Sequence, residues 1–387
     1  MTTKTQPRRA SRETLVLGGL LAFVPLTYLA AALAWSSGLQ FALSVAAVIP
    51  LAAFIGAATE ALADRVGGKI GGLLNATFGN APDLLVGVFG VQKGLIPLVK
   101  ATLVGALISN SALIMGLCYL VAGLTYGRPR FKRHEAGHHS VLMMLTVAAV
   151  LFPSLGTVAV GHPSGRTIEH ISVGIAVVLL LAYVAYVVYG IFGWERLGRS
   201  EPEGRETPRR EPAAATPGWP AWLSTAILLG ATVALIPVTD ILTGSVQSVA
   251  QSLGWTEVFV GMVVVANAGN VAEGYAALKL ARQKAATPQE SATGDSGLDL
   301  ALGIASASSI QIATFVAPLV VLYSLFAHPM NLVFSPVEIA ILGLLTIIFT
   351  YIAQDGESNW LEGAQLLALY AMAAILFYAL PVSAFGS

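Results

Sequence analysis

Apolar runs recur from one end of this chain to the other, and no other feature constrains its fold as strongly. Each run is about 20 residues long, which is enough for an α-helix to cross a lipid bilayer. Only 11% of the 387 residues are charged, whereas soluble domains carry about 25%. We therefore predict an all-α polytopic membrane protein with eleven transmembrane helices, near residues 15–35, 39–58, 71–92, 98–123, 140–160, 170–194, 219–239, 257–279, 298–325, 335–353 and 362–381.

The basic residues are divided unevenly between the two sides of the membrane that these helices create. Eighteen of the 21 Lys and Arg residues lie in alternate polar segments, and the exceptions are Lys93, Lys100 and Arg166. Loops rich in Lys and Arg stay on the cytoplasmic side. We therefore expect a multi-pass protein of the cell (inner) membrane, with its N-terminus in the cytoplasm and its C-terminus outside.

The chain consists of two similar halves joined by a polar segment. Residues 195–218 are rich in Pro, Gly and charged residues, which is typical of a flexible linker, and the charge pattern places them in the cytoplasm. The sequence "GNAPD" at 79–83 corresponds to "GNVAE" at 269–273, and "KATLVGALISN" at 100–110 corresponds to "DLALGIASASS" at 299–309. Each half holds five helices, which is an odd number, so the two repeats have inverted topology, as in secondary transporters.

This organisation predicts four segments. They are a cytoplasmic N-terminus with an extra first helix (1–38), a first five-helix repeat (39–194), the linker (195–218) and a second five-helix repeat (219–387).

One core helix in each repeat carries a signal for an interruption at membrane depth. Gly79 and Asn80 fall near the middle of the third helix and are followed by Pro82, which lacks the N–H that a continuing helix needs. Gly269 and Asn270 lie at a similar depth in the eighth helix. We predict a break at both points. Backbone exposed at such a break is tolerated in a membrane only where it lines a cavity or is buried in protein.

A carboxylate follows each predicted break, Asp83 in the first repeat and Glu273 in the second. The alternative is a pair of capping boxes, in which Asn80 and Asn270 would be helix N-caps. Capping does not explain the charge, because a carboxylate at the bilayer centre costs about 2.5–3.5 kcal/mol and an uncharged residue caps as well. Carboxylate and amide oxygens suit a hard cation such as Ca²⁺, which takes about 6–8 oxygen ligands. We therefore predict that these four residues bind a metal cation.

The charge of two carboxylates also predicts how such a site transports ions. The pair is neutral with one divalent cation and neutral again with two protons, whereas the empty, doubly ionised pair is not. Moving the ionised pair through an apolar barrier is costly. A carrier that changes sides only when its site is neutral exchanges a divalent cation for protons and does not leak.

At these residues the chain resembles the calcium/proton exchangers of the calcium/cation antiporter superfamily. The resemblance covers roughly residues 40–381. It is densest in "TEALADRVGGKIGGLLNATFGNAPDLLVGVFGVQKGLIPLVKATLVGALISN" and in "GNVAEGYAALKLA…LDLALGIASASSIQIATFVAPLVVL". It implies an extra first helix followed by two inverted five-helix repeats. It also implies alternating access around two acids, at the positions of Asp83 and Glu273, with Asn80 and Asn270 beside them.

Several positions depart from the family pattern. Pro82 and Asp83 stand where the first motif usually has Thr and Glu, and Gly274 stands where the second motif usually has His. Asn267 lies in a run that is apolar or contains Pro in the family. These differences leave the predicted antiporter fold intact, but they bear on which ion is bound and how tightly.

Further polar residues mark an expected cation or proton pathway. Glu60 and Asp240 hold matched positions, at the cytoplasmic end of the second helix and the outer end of the seventh, and the alternative is that both are simply solvated. Small polar residues in the fourth and ninth helices either line the site or serve only helix packing, and the resemblance favours the first interpretation. The predicted pathway residues are Glu60, Asp240, Ser109, Asn110, Ser308, Ser309 and Gln311.

We predict a secondary active antiporter that exchanges a divalent cation, Ca²⁺ by preference, for protons. Two alternatives keep the fold and change the ion, to Mn²⁺ or to Na⁺ or K⁺, and a third is a passive cation channel. The sequence contains no nucleotide-binding loop, nucleophile triad or haem spacing, so we expect neither an enzyme nor a cofactor beyond the transported ion. Expected partners are cations, protons and membrane lipids but no nucleic acid, and a homo-oligomer is left open.

Overall fold

The computed structural model describes residues 12–66, 74–75, 77–131, 133–160, 165–192, 219–283 and 297–381. Within these residues the chain forms seven helices that are long and apolar enough to cross a membrane and four shorter apolar helices. We number these eleven helices α1 to α11; they are Val16–Ala32, Ser37–Val66, Ala81–Gln92, Ile96–Tyr126, Arg133–Val160, Gly165–Phe192, Ala221–Leu253, Glu257–Ala281, Gly297–Ser324, Pro336–Asp355 and Trp360–Ala379. Each predicted span corresponds to one of them, so the all-helical polytopic fold is confirmed.

The predicted linker, residues 195–218, lies outside the described residues, and the division of the chain into four segments therefore stays a prediction.

Two helices extend well past the C-terminal ends that the sequence predicted. Helix α2 was expected to end near residue 58 and α7 near residue 239, but they continue to Val66 and Leu253. The placement of Glu60 and of Asp240 at the ends of these helices is therefore wrong. An acid does not stop a helix, because its backbone N–H still bonds the preceding turn, and α7 ends only at Gly254, which adopts φ 67° as a left-handed cap.

Three of the central helices contain a π-helical section. These sections are Ser109–Ile114 in α4, Val260–Val265 in α8 and Ile312–Val316 in α9. A π-helix shifts backbone bonding from the fourth to the fifth residue; such sections are rare and frequently occur at functional sites. The three sections lie in the helices that carry, or contact, the predicted acids.

The break predicted in the first repeat is present. Residues 77 and 78 are helical, Gly79 and Asn80 form a turn, and α3 begins at Ala81. Glycine is required at the turn, because a Cβ on Gly79 would stand 2.5 Å from the carbonyl oxygen of Asn75. Pro82 lies in the first turn of α3, where an N–H has no acceptor within the helix, so the missing N–H of proline costs no hydrogen bond.

The break predicted at Gly269 and Asn270 is wrong, because residues Ala266–Ala281 form one regular α-helix. The second motif lacks the proline of the first, so every N–H is available to continue the helical bonding. The irregularity in this repeat is instead the π section Val260–Val265, which precedes the motif.

Glycines allow close contacts among the helices α3, α4, α8 and α9. In α4 and α9, 78% of the apolar span is buried, against 22% in α6 and α11, so α4 and α9 form the interior. A Cβ on Gly105 of α4 would stand 2.6 Å from the Cα of Met262 in α8, and a Cβ on Gly87 of α3 would stand 2.5 Å from Val320 in α9. Small residues at such crossings let helices approach closely within a membrane.

Candidate cation-binding site

The two predicted acids lie together. Asp83, in the first turn of α3, is 6% exposed, and its Oδ1 is 3.3 Å from the position that a Cβ would take on Gly269 of α8. Glu273 lies one helical turn further along α8, and the two carboxylates are close enough to interact electrostatically. The group therefore contains one acid from each predicted repeat.

Neither asparagine of the two motifs caps a helix. Asn80 precedes α3, but its side chain accepts no hydrogen bond from the first turn, and Asn270 lies inside α8. A capping box is formed elsewhere, by Ser335 and Glu338 at the start of α10, where both reciprocal bonds are present. Asn80 and Asn270 are 1% and 2% exposed, so they are buried amides that do not serve the capping role.

Asn80 is held by the ninth helix. Its Nδ2 donates to Oε1 of Gln311, which ends the first α-helical section of α9, over 2.5 Å. The amide oxygen, Oδ1, is buried and has no hydrogen-bond partner. The bond thus uses the donor of Asn80 and leaves its acceptor unused.

Glu273 is held by a relay from α4 through α9. Asn110 Nδ2 donates to Ser308 Oγ over 2.9 Å, and Ser308 is hydrogen-bonded to Glu273. A hydroxyl has a single proton, so Ser308 accepts from Asn110 and donates its own proton to the carboxylate. Glu273 Oε2 and Asn110 Oδ1 remain buried without a partner.

The site therefore collects unpaired polar atoms. Three are oxygen acceptors, Asn80 Oδ1, Asn110 Oδ1 and Glu273 Oε2, and the fourth is Nδ2 of Asn270. Each such atom costs about 1–3 kcal/mol if nothing binds it, and native structures keep few of them. An acceptor-rich group with two carboxylates is suited to a hard cation or to protons. Among the described residues, no three His, Cys, Asp or Glu side chains form a cluster.

The predicted pathway residues differ in the partners to which they bond. Ser109, Asn110, Ser308 and Gln311 all bond to side chains in or beside the site. Ser309 is buried, but its hydroxyl donates to the backbone of its own helix.

Glu60 and Asp240 are exposed and do not belong to the buried group. Asp240 forms an ion pair with Lys93, with Nζ and Oδ1 2.5 Å apart, and Nζ also bonds the backbone oxygen of Asp240 over 2.6 Å. The Asp240 carboxylate is thus neutralised by a side chain from the end of α3, an arrangement that neither sequence interpretation included.

Sequence reasoning also missed the contacts of two polar residues. Asn267, noted only as a departure from the family, bonds Ser109 and Tyr370. Lys100, counted only as a basic residue near the outer face, is 6% exposed and donates to Asn331 Oδ1 and the carbonyl of Val333, each over 2.7 Å. In each case the available signal was a polar residue within an apolar run.

Known proteins are similar in sequence to this chain along most of its length. The model of the sodium/calcium exchanger protein family matches residues 36–192 and 223–379. The Ca²⁺/H⁺ antiporter ChaA of Bacillus subtilis is 35% identical over 359 residues, which cover 92% of this chain and 97% of ChaA. A Ca²⁺/H⁺ antiporter of Synechocystis is 36% identical over 368 residues, covering 93% of this chain and 96% of its own.

Solved structures share the fold. Native YfkE is 33% identical, with a TM-score of 0.77 over 95% of this chain and 99% of its own. The H⁺/Ca²⁺ exchanger CAX has a TM-score of 0.68 over 95% of this chain and 93% of its own. At 16% identity, CAX shows a common fold only.

Proposed function

This chain belongs to the sodium/calcium exchanger protein family, and we propose that it is a secondary active antiporter that exchanges Ca²⁺ for protons across the membrane by alternating access. The relatives that share most of its length are named Ca²⁺/H⁺ antiporters. The single observation that carries the proposal is the meeting of Asp83 and Glu273, one acid from each repeat, among oxygens that have no protein partner.

In this proposal the transported cation is held by Asp83, Glu273, Asn80 and Asn270. The carboxylates supply the charge, and Glu273 Oε2 and Asn80 Oδ1 have no hydrogen-bond partner in the protein. Asn270 leaves its amide nitrogen unpaired, and a half-turn of the amide exchanges that nitrogen for oxygen. The remaining oxygen ligands of Ca²⁺ are water molecules and backbone carbonyls.

Protons compete with Ca²⁺ for the same two carboxylates. When both are ionised and the site is empty, the two carboxylates carry uncompensated negative charge close together, and crossing the membrane in that state is unfavourable. One Ca²⁺ or two protons remove the net charge. The site therefore changes sides loaded with either ligand and does not change sides empty, which couples the two fluxes.

We further propose that the protein lies in the cell (inner) membrane, with a cytoplasmic N-terminus and an external C-terminus. Support comes from the Lys and Arg residues, 18 of 21 of which then face the cytoplasm. In this orientation an inward proton gradient drives Ca²⁺ out of the cytoplasm.

The test is ion flux into everted membrane vesicles under an imposed pH gradient. We expect Ca²⁺ to release the stored proton gradient, and we expect Asp83→Asn and Glu273→Gln each to abolish this release. Glu357→Gln is the matched control, because Glu357 is a carboxylate 3.8 Å from Arg128 and Arg130 that takes no part in the site.

Other outcomes would replace the proposal. Response to Mn²⁺, or to Na⁺ or K⁺, but not to Ca²⁺ would change the ion. Calcium current without a pH gradient, at rates far above those of a carrier, would indicate a channel. Unchanged flux in both acid variants would refute the assignment of the site.

A further inference from the structure

Asn267 is an amide in an apolar stretch of α8 whose hydrogen bonds are all used. Its Oδ1 accepts from Ser109 Oγ over 2.6 Å, and its Nδ2 donates to the carbonyl of Val263 over 2.6 Å and to the hydroxyl of Tyr370 over 2.7 Å. An amide has two N–H groups and one oxygen, so both donors and the acceptor are engaged. One side chain therefore joins α8 to α4 and α11.

The bond from Asn267 to Val263 reaches into the π section of α8. Asn267 lies in the first turn of the α-helix that follows Val260–Val265, and Val263 lies inside that section. Bonding changes from the fifth to the fourth residue at this junction, and the side-chain amide adds a donor there. If the π section became ordinary α-helix, its one extra residue would be lost. With 3.6 residues per turn, the part of α8 before it would then rotate by about 100° relative to Glu273.

The bond from Ser109 reaches a second π section, because Ser109 begins Ser109–Ile114 in α4. The next residue, Asn110, is the donor that holds Ser308 against Glu273. Asn267 therefore links the π section that precedes Glu273 in its own helix to the π section that supplies the relay to the Glu273 carboxylate.

We propose that Asn267 is a positioning residue of the cation site: its side chain keeps the π sections of α8 and α4 in register and so sets where Glu273 and Asn110 stand. It acts through these residues and does not bind the ion. The inference deepens the proposed function, on which its transport readout rests, whereas its structural readout is independent of transport.

The test compares Asn267→Leu, which keeps the branching at Cγ and removes all three bonds, with Asn267→Gln, which keeps the amide. In reconstituted vesicles we expect Asn267→Leu to raise the KM for Ca²⁺ about tenfold and to change its dependence on pH, because the ligand positions shift. We expect Asn267→Gln to recover part of this loss. Tyr370→Phe removes one bond of three and should have a smaller effect.

The same experiment distinguishes positioning from general stability. Ser154→Ala removes a buried hydroxyl that accepts from the N–H of Phe334, away from the site, and should lower the melting temperature without changing KM. If the Ser109 bond carries the effect, Ser109→Ala combined with Asn267→Leu should change KM less than the sum of the single changes.

Hydrogen exchange of the amides in residues 260–268, measured without Ca²⁺ or a pH gradient, supplies the independent readout. We expect faster exchange in Asn267→Leu than in the unaltered protein. Unchanged exchange together with an unchanged KM and pH profile would overturn the inference. Failure of the unaltered protein to exchange Ca²⁺ for protons would instead refute the proposed function and leave the exchange measurement valid.

Discussion

The Oδ1 atom of Asp83 lies 3.3 Å from the point where a Cβ on Gly269 would stand. This contact explains the glycine of the second motif, which the sequence suggested was a helix breaker. Helix α8 is regular at this position, so Gly269 serves the close approach of another side chain to the backbone. The carboxylate of α3 thereby comes within one turn of Glu273.

Gly269→Ala should therefore weaken calcium binding without unfolding the helix. A methyl group at this position displaces the Asp83 carboxylate by a few tenths of an ångström, whereas alanine favours helix by about 0.5–1 kcal/mol over glycine. We expect the KM for Ca²⁺ to rise about fivefold, from a loss on the order of 1 kcal/mol. Gly303→Ala in α9, where a Cβ meets nothing within 4 Å, is the control for radiotracer uptake. An equal KM in both variants would contradict the contact.

Calcium affinity should fall as the pH is lowered. Where both Asp83 and Glu273 are protonated before Ca²⁺ binds, each bound ion displaces two protons. By linkage, the apparent Kd for Ca²⁺ then rises about 100-fold for each unit by which the pH is lowered. The dependence should decrease to about tenfold per unit in any single acid-to-amide variant that still binds. Calorimetric titration of the purified protein at several pH values measures how the apparent Kd for Ca²⁺ depends on pH. An apparent Kd that does not change with pH would show that protons and Ca²⁺ do not compete for the same carboxylates.

Two lysines near the predicted outer face should differ in their importance for stability. Lys100 is buried and donates two bonds to the segment before α10, so Lys100→Met should cost about 2 kcal/mol or more. Lys93 pairs with Asp240 while the two side chains are 30% and 51% exposed, so Lys93→Met should cost about 0–1 kcal/mol. Scanning fluorimetry in detergent measures the decrease in melting temperature of each variant. A larger decrease in Lys93→Met than in Lys100→Met would contradict the burial of Lys100.

Labelling of single cysteines should report the orientation. Cys118 is the one cysteine of the sequence and is buried, so Cys118→Ala provides the background. An impermeant maleimide applied to intact cells should label Ala327→Cys, which lies between α9 and α10. It should label Arg128→Cys, between α4 and α5, only after permeabilisation. The opposite pattern would invert the topology.

Much of the candidate site was predictable because its components are rare in a membrane. Asp83, Glu273 and the neighbouring asparagines stand out in apolar helices, where charge is costly. The interruption before α3 was predictable from Pro82, whose missing N–H is a local property of the chain. The second predicted break was wrong, because glycine is compatible with a break, with a close contact and with a regular helix.

The contacts within the site were beyond the sequence for a different reason. Asn110 and Ser308 are 198 residues apart, and Asn80 and Gln311 are 231 apart. Whether such side chains meet depends on how the helices cross and rotate. The π sections change that rotation without leaving a recognisable pattern in the sequence.

The sequence by itself determined the eleven helices, their all-α membrane fold and the presence of an acid in each predicted repeat, because hydropathy and helical hydrogen bonding act between neighbours in the chain. Only the tertiary structure decided that Gly269 is a contact point, that Ser308 holds Glu273, and that Lys93 neutralises Asp240. Those outcomes follow from packing between distant helices, where a shift of one residue in register exchanges one set of partners for another.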